Sequence, residues 1–96
     1  MNRFDLIRDW ASKRGIIEKG DIKTQTVKLM EEAGELAKSV INEDRKETID
    51  AIGDIVVVLT NLAAIEGLKI EDCIDAAYGE IVDRKGTFKN GSFMKN

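Results

Sequence analysis

Apolar and polar positions along the chain fall into helical periods, densest over residues 51–65, AIGDIVVVLTNLAAI, just after Asp50. Wound as a helix, this stretch is apolar in nearly every direction, and its only charge is Asp54. A helix apolar all round is a buried one. Fifteen residues fall short of the roughly 20 that a bilayer span needs, and an acid sits inside, so no membrane helix is expected. An ionised carboxylate in a core is costly unless a cation, a metal or hydrogen bonds compensate it. A compensating group is therefore expected opposite Asp54.

The same periodicity predicts a first amphipathic helix over residues 2–14, carrying Phe4, Ile7, Trp10 and Ala11. Gly15 and Gly20 bracket a connector, GIIEKG, after which Asp21 or Thr24 caps a second helix over 22–42. On that helix Val27, Leu29, Met30, Leu36, Val40 and Ile41 fill about half the circle, and Lys28, Glu31, Glu32, Glu35 and Ser39 share the other half. Asn42 to Lys46 reads as a polar turn, and Glu47 opens a third helix running to about Glu66 and stopped by Gly67. A fourth helix over 70–84 aligns Ile70, Ile74, Ala77 and Ile81, with Gly86 ending it. In the tail TFKNGSFMKN, an Asn90-Gly91 turn between Phe88 and Phe93 predicts a short hairpin or an arm packing on a neighbour. The expected architecture is all-α, four-helix bundle-like, one domain over residues 1–96 with a short C-terminal tail. The third helix has more apolar surface than three short neighbours cover, which predicts a homo-oligomer, dimer or tetramer.

Composition narrows the chemistry. A net charge of −3 among 96 residues, with a pI near 5.0, argues against a nucleic-acid-binding face. There is no histidine, so histidine catalysis and histidine-ligated zinc are excluded, and any metal is a hard ion held by oxygen. The lone cysteine, Cys73, has no partner for a disulfide and none for nucleophilic chemistry. The opening MNRFDLIRDW lacks a long apolar core, so a cytoplasmic protein without a membrane partner is expected.

The candidate site is a set of carboxylates. Glu31 and Glu35 lie four apart, Glu32 and Glu35 three apart, so each pair shares a helix face. On the next helix Asp50 and Asp54 are again four apart, with Glu47 a turn earlier and Asn61 two turns later on the same stripe. Acids a turn apart on facing helices suit one or more Mg²⁺ or Mn²⁺ ions. Each residue also has a plainer reading. The glutamates make a solvated face, and Asp54 a buried ion pair with Lys28 or Arg84. Glu47 and Asp50 suit a helix N-terminus, as Arg84 and Lys85 suit a C-terminus. Lys28 pairs with Glu31 or Glu32, Asn61 makes an interior polar contact, and Trp10 belongs to the core.

KLMEEAGELAKSV followed by IDAIGDIVVVLTNLA and closed by DRKG resembles the MazG-type nucleotide pyrophosphohydrolases, whose pattern is EExxE on one helix and ExxD on the next. The resemblance runs from about Trp10 to Gly86. It implies Mg²⁺-dependent hydrolysis of a nucleoside triphosphate, a dNTP in a nucleotide-pool role, to the monophosphate and pyrophosphate. Small bundles of this kind also occur in phage genomes, so a phage or bacterial source fits, and nothing in the chain decides it. By position the metal ligands are Glu31, Glu32, Glu35 and Asp54. The chain departs from the pattern at Ala51, where ExxD has an acid; Asp50 is the natural replacement, and Glu47 with Asp50 spells ExxD one turn earlier. In this reading Glu31 also activates the attacking water, and Lys28, Asn61, Arg84, Lys85 and Trp10 contact the substrate. The contrasting expectation is a non-catalytic oligomeric helical module.

Overall fold

The structure, a computed structural model, describes residues 2–96. Among them are five helices and one hairpin: α1 (Arg3–Lys13), α2 (Ile16–Lys19), α3 (Ile22–Ile41), α4 (Arg45–Ile65), α5 (Ile70–Ile81), β1 (Gly86–Lys89) and β2 (Ser92–Lys95). The four expected helices are present. The connector adds α2, because Gly15 at φ 75° reverses the chain and lets Ile16–Lys19 coil for one turn. Gly20 then passes so close to α4 that a Cβ on it would sit 2.8 Å from the Ile65 side chain.

Side-chain caps fix the long helices. Asn2 Oδ1 accepts from the Asp5 N–H at 2.8 Å, Asp21 from Thr24 at 3.2 Å and Asp44 from Glu47 at 3.1 Å. The Asp44 cap starts α4 at Arg45, two residues before the expected Glu47, so the turn shrinks to Asn42–Asp44. Glu43 crosses it at φ 54°. At the other end α5 stops at Ile81, short of the expected residue 84.

Helix α4 is the axis: α3 packs antiparallel along it, and α1, α2 and α5 each meet it as well. An ion pair ties α1 to α5, with both Arg8 guanidinium nitrogens 2.6 Å from the Glu71 carboxylate. The buried residues are small: Ala11, Ala51, Val58 and Ala63, with Ser39, Thr60 and Asn61. Contrary to the expectation from its composition, α4 is not buried all round, since Ile49, Ile52 and Val56 face solvent. Its full 21 residues also remove the length argument against a membrane span. What disfavours a span is Glu47, Asp50 and Asp54 along its length.

Helix α3 is turned in an informative way. Polar Ser39 is buried against α4 and Glu32 half-buried, while Val27, Met30 and Ile41 point outward, Ile41 at 79 % exposure. The radius of gyration, 15.7 Å, exceeds the roughly 12.5 Å of a compact chain this long. The molecule is an open frame around α4 with apolar surface on its outside.

Candidate active site

The α3–α4 pairing sets the site. At the turn end the Thr48 hydroxyl donates to the Ser39 hydroxyl at 3.0 Å, and Ser39 donates on to the Leu36 carbonyl at 2.8 Å. These bonds hold the helices at a fixed register where each carries acids. Above them opens a cleft of about 590 Å³ lined by Glu31, Glu35, Asp44 and Glu47, with Lys38 as its one cation. Glu47, placed third in α4 by the Asp44 cap, faces the α3 glutamates across this cleft.

One turn further along α4, Asp50 is exposed and Asp54 half-buried, not enclosed in a core. Asp54 forms no ion pair: among the described residues the pairs are Arg8–Asp5, Arg8–Glu71 and Lys13–Asp9. Partial burial raises the Asp54 carboxyl above its ordinary range. Asp50 beside it and Glu35 across the helix pair add to the rise, and Lys28 only partly offsets them. Asp50, Asp54 and Glu35 are thus electrostatically one group with an excess of negative charge. The ion-pair alternatives for Asp54 and Lys28 are not formed.

Asp54 also sits at a second concavity. Leu6, Ile7 and Trp10 of α1 with Asp54 and Val57 of α4 enclose a mostly apolar recess of about 390 Å³. Trp10 is 45 % exposed rather than core, its ring covered on one side by the Arg14 guanidinium at 4.4 Å from the centroid. The sequence placed Ile7 with Trp10 on one helix face but did not point to Leu6 and Val57 as their companions. The signal was that Leu6 and Ile7 lie four and three residues before Trp10 on α1, and Val57 three residues after Asp54 on α4. Two turns beyond Asp54, Asn61 is 4 % exposed, and its Oδ1 has no hydrogen-bond partner.

Arg84 and Lys85 lie elsewhere. With α5 ended at Ile81 they form the entry to the hairpin, the Arg84 N–H donating to the Ile81 carbonyl and the Lys85 carbonyl accepting from Asn96. They line neither the cleft nor the recess. Neither lies in the last turn of α5, and Arg84 forms no ion pair with Asp54.

Among the described residues, no three acidic or cysteine side chains converge closely enough to hold one ion as they stand. The donor set nonetheless fits a hard divalent cation. All the candidates are carboxylate oxygens, they repel one another, and an unpartnered amide oxygen lies on the same stripe.

The family model of the MazG nucleotide pyrophosphohydrolase domain matches residues 21–87. An uncharacterized 18.2 kDa protein from the rep-hol intergenic region of Haemophilus phage HP1 is 40 % identical over 57 residues, 59 % of this chain. Those residues are 35 % of the phage protein, so the match spans about a third of that relative. No solved structure gives a significant match. The family match takes in α3, α4 and α5, the helices that carry every candidate ligand, and the chain belongs to the MazG nucleotide pyrophosphohydrolase family.

Proposed function

We propose that the chain hydrolyses a nucleoside triphosphate, a dNTP by preference, to the monophosphate and pyrophosphate in a metal-dependent reaction. The observation that carries this is the double position of Asp54. It belongs to the acidic group with Asp50 and Glu35, and it forms the wall of the Trp10 recess. A phosphate chain and a base are thereby offered adjoining sites.

Glu31, Glu32, Glu35, Asp50 and Asp54 would hold Mg²⁺, with Mn²⁺ as a substitute. The bound ions supply charge neutralisation of the triphosphate and a lowered pKa for water. The residues do the rest. Glu31, exposed on the cleft wall, orients the attacking water and takes its proton. Lys28, on the same side of α3, contacts phosphate oxygens. Trp10, Leu6 and Ile7 receive the base, Trp10 by stacking. Asn61 Oδ1 accepts a hydrogen bond from substrate or from bound water. Attack at the α-phosphorus forms the new P–O bond as the bond to the pyrophosphate oxygen breaks.

We further infer a homo-oligomer, because Val27, Met30 and Ile41 on α3 and Ile49, Ile52 and Val56 on α4 form apolar stripes that one chain leaves in water. Arg84 and Lys85 would reach phosphate only in such an assembly.

Hydrolysis in ¹⁸O-labelled water tests the reaction. Label in the monophosphate supports attack at the α-phosphorus. Label in pyrophosphate contradicts it, and no turnover by a folded, metal-supplied protein favours a non-catalytic helical module.

A further inference from the structure

The hairpin after α5 has no support within its own chain. Its register is Gly86↔Lys95, Thr87↔Met94, Phe88↔Phe93 and Lys89↔Ser92, closed by Asn90 at φ 52° and Gly91 at φ 79°. Two adjacent residues at positive φ make the primed turn that suits a two-residue hairpin loop. Side chains alternate across such a ribbon, so Phe88, Phe93 and Lys95 share one face. The Phe93 ring rests on bare Gly86 backbone, where a Cβ would be 2.6 Å from its edge. Neither strand makes more than a marginal contact with any helix. Phe88 is 72 % exposed, with Phe93 and Met94 also open to solvent. A lone two-stranded hairpin is only marginally stable in water, so this one needs a surface to lie on.

The chain offers a matching surface on α5. Ile74, Tyr78 and Ile81 repeat at i, i+4 and i+7, and all are exposed. Glu71 heads the stripe and Asp75 flanks it, while Asp72, Glu80 and Asp83 lie further round the helix, and no lysine or arginine falls between residues 70 and 83. The hairpin segment is the reverse. Residues 84–96 contain Arg84, Lys85, Lys89 and Lys95 and no acid, so with a total of −3 the rest of the chain carries −7. An apolar stripe on an acidic helix and an apolar ribbon in a basic segment sit in one chain with no more than a marginal contact between them.

We propose that two copies of this chain exchange their C-terminal hairpins. Each lays its Phe88–Phe93 face across the Ile74, Tyr78 and Ile81 stripe of the other's α5, with Lys95, on the same ribbon face, toward Asp75 beside the stripe. The contact is self-complementary, so a two-fold axis satisfies both hairpins at once. This deepens the homo-oligomer reading above and names a surface separate from the α3 and α4 stripes.

Sedimentation velocity across a concentration series tests it, with circular dichroism to confirm retained helix. Phe88→Ser with Phe93→Ser should weaken self-association about tenfold or more, and so should Ile74→Ser with Tyr78→Ser. Charge gives the sharper test. Lys95→Glu, or Asp75→Lys, should each weaken association, and combining the two should restore it. Association that none of these variants weakens, but that Met30→Glu does, overturns the exchange and leaves the oligomer reading standing. A chain that sediments as a monomer throughout overturns both.

Discussion

Asn61 gives the account its most quantitative exposure. The residue is 4 % exposed in α4, and its Oδ1 finds no donor. A buried polar atom left unpaired costs about 1–3 kcal/mol, an expense natural proteins tolerate mainly where function requires it. Asn61→Leu keeps the same branched outline, removes the orphan and adds apolar burial. It should therefore stabilise the fold by about 1–2 kcal/mol. For a domain this size that corresponds to a melting-point rise of roughly 5–15 °C. The assay is thermal unfolding at one fixed protein concentration, since self-association would otherwise shift the midpoint. In parallel, kcat/KM for triphosphate hydrolysis should fall about tenfold or more, the loss of one substrate hydrogen bond. A variant that melts lower than the parent would refute the reasoning, because Oδ1 would then have a partner in the folded protein. A more stable variant with unchanged kcat/KM would refute the substrate contact and leave the orphan unexplained.

The other predictions concern charge. Asp54→Asn should abolish pyrophosphate release and leave the helical signal intact, since it relieves the repulsion from Asp50 and Glu35; an active variant would sink the ligand assignment. Asp50→Asn should cost more activity than Glu47→Gln, and the reverse ranking in steady-state kinetics would move the ligand set toward the turn, to the literal ExxD. Arg8 holds the Glu71 carboxyl down at about 2, below its ordinary 4.5. Glu71 therefore stabilises the fold fully above about pH 4.5, and that contribution is lost as pH falls toward 2. Arg8→Met should flatten the loss of stability in this window, as read by denaturation at several pH values; an unchanged acid slope would show that the α1–α5 pair contributes nothing to it.

Much of this was legible in the sequence because it is local. Cap residues, glycine stops and helical spacing place α1, α3, α4 and α5 within a few residues of where they lie, and Asn90-Gly91 announces the hairpin. The departures come from interactions the periodicity does not contain. Asp44 outcompetes Lys46 as the place to begin α4 because its side chain reaches the Glu47 N–H. The composition of 51–65 implied burial on all sides, but a helix buries only what neighbours cover, and Ile49, Ile52 and Val56 have none in one chain. For the same reason α3 turns its acids toward α4 and Met30 outward, an arrangement that leaves the apolar face on the outside. At the site, the i,i+4 acids were readable as a set. That Asp54 also walls a Trp10 recess was not, because it depends on how α1 crosses α4. Nor does spacing tell a paired Asn61 from an orphaned one.

The central claim is that the acids of α3 and α4 serve triphosphate hydrolysis. The most direct test is pyrophosphate release from a panel of canonical and modified NTPs and dNTPs, with Mg²⁺ or Mn²⁺ and again with EDTA. Pyrophosphate and the monophosphate are expected in equal amounts, fastest for a dNTP and stopped by EDTA. Release of inorganic phosphate instead, or turnover that EDTA leaves untouched, would contradict it.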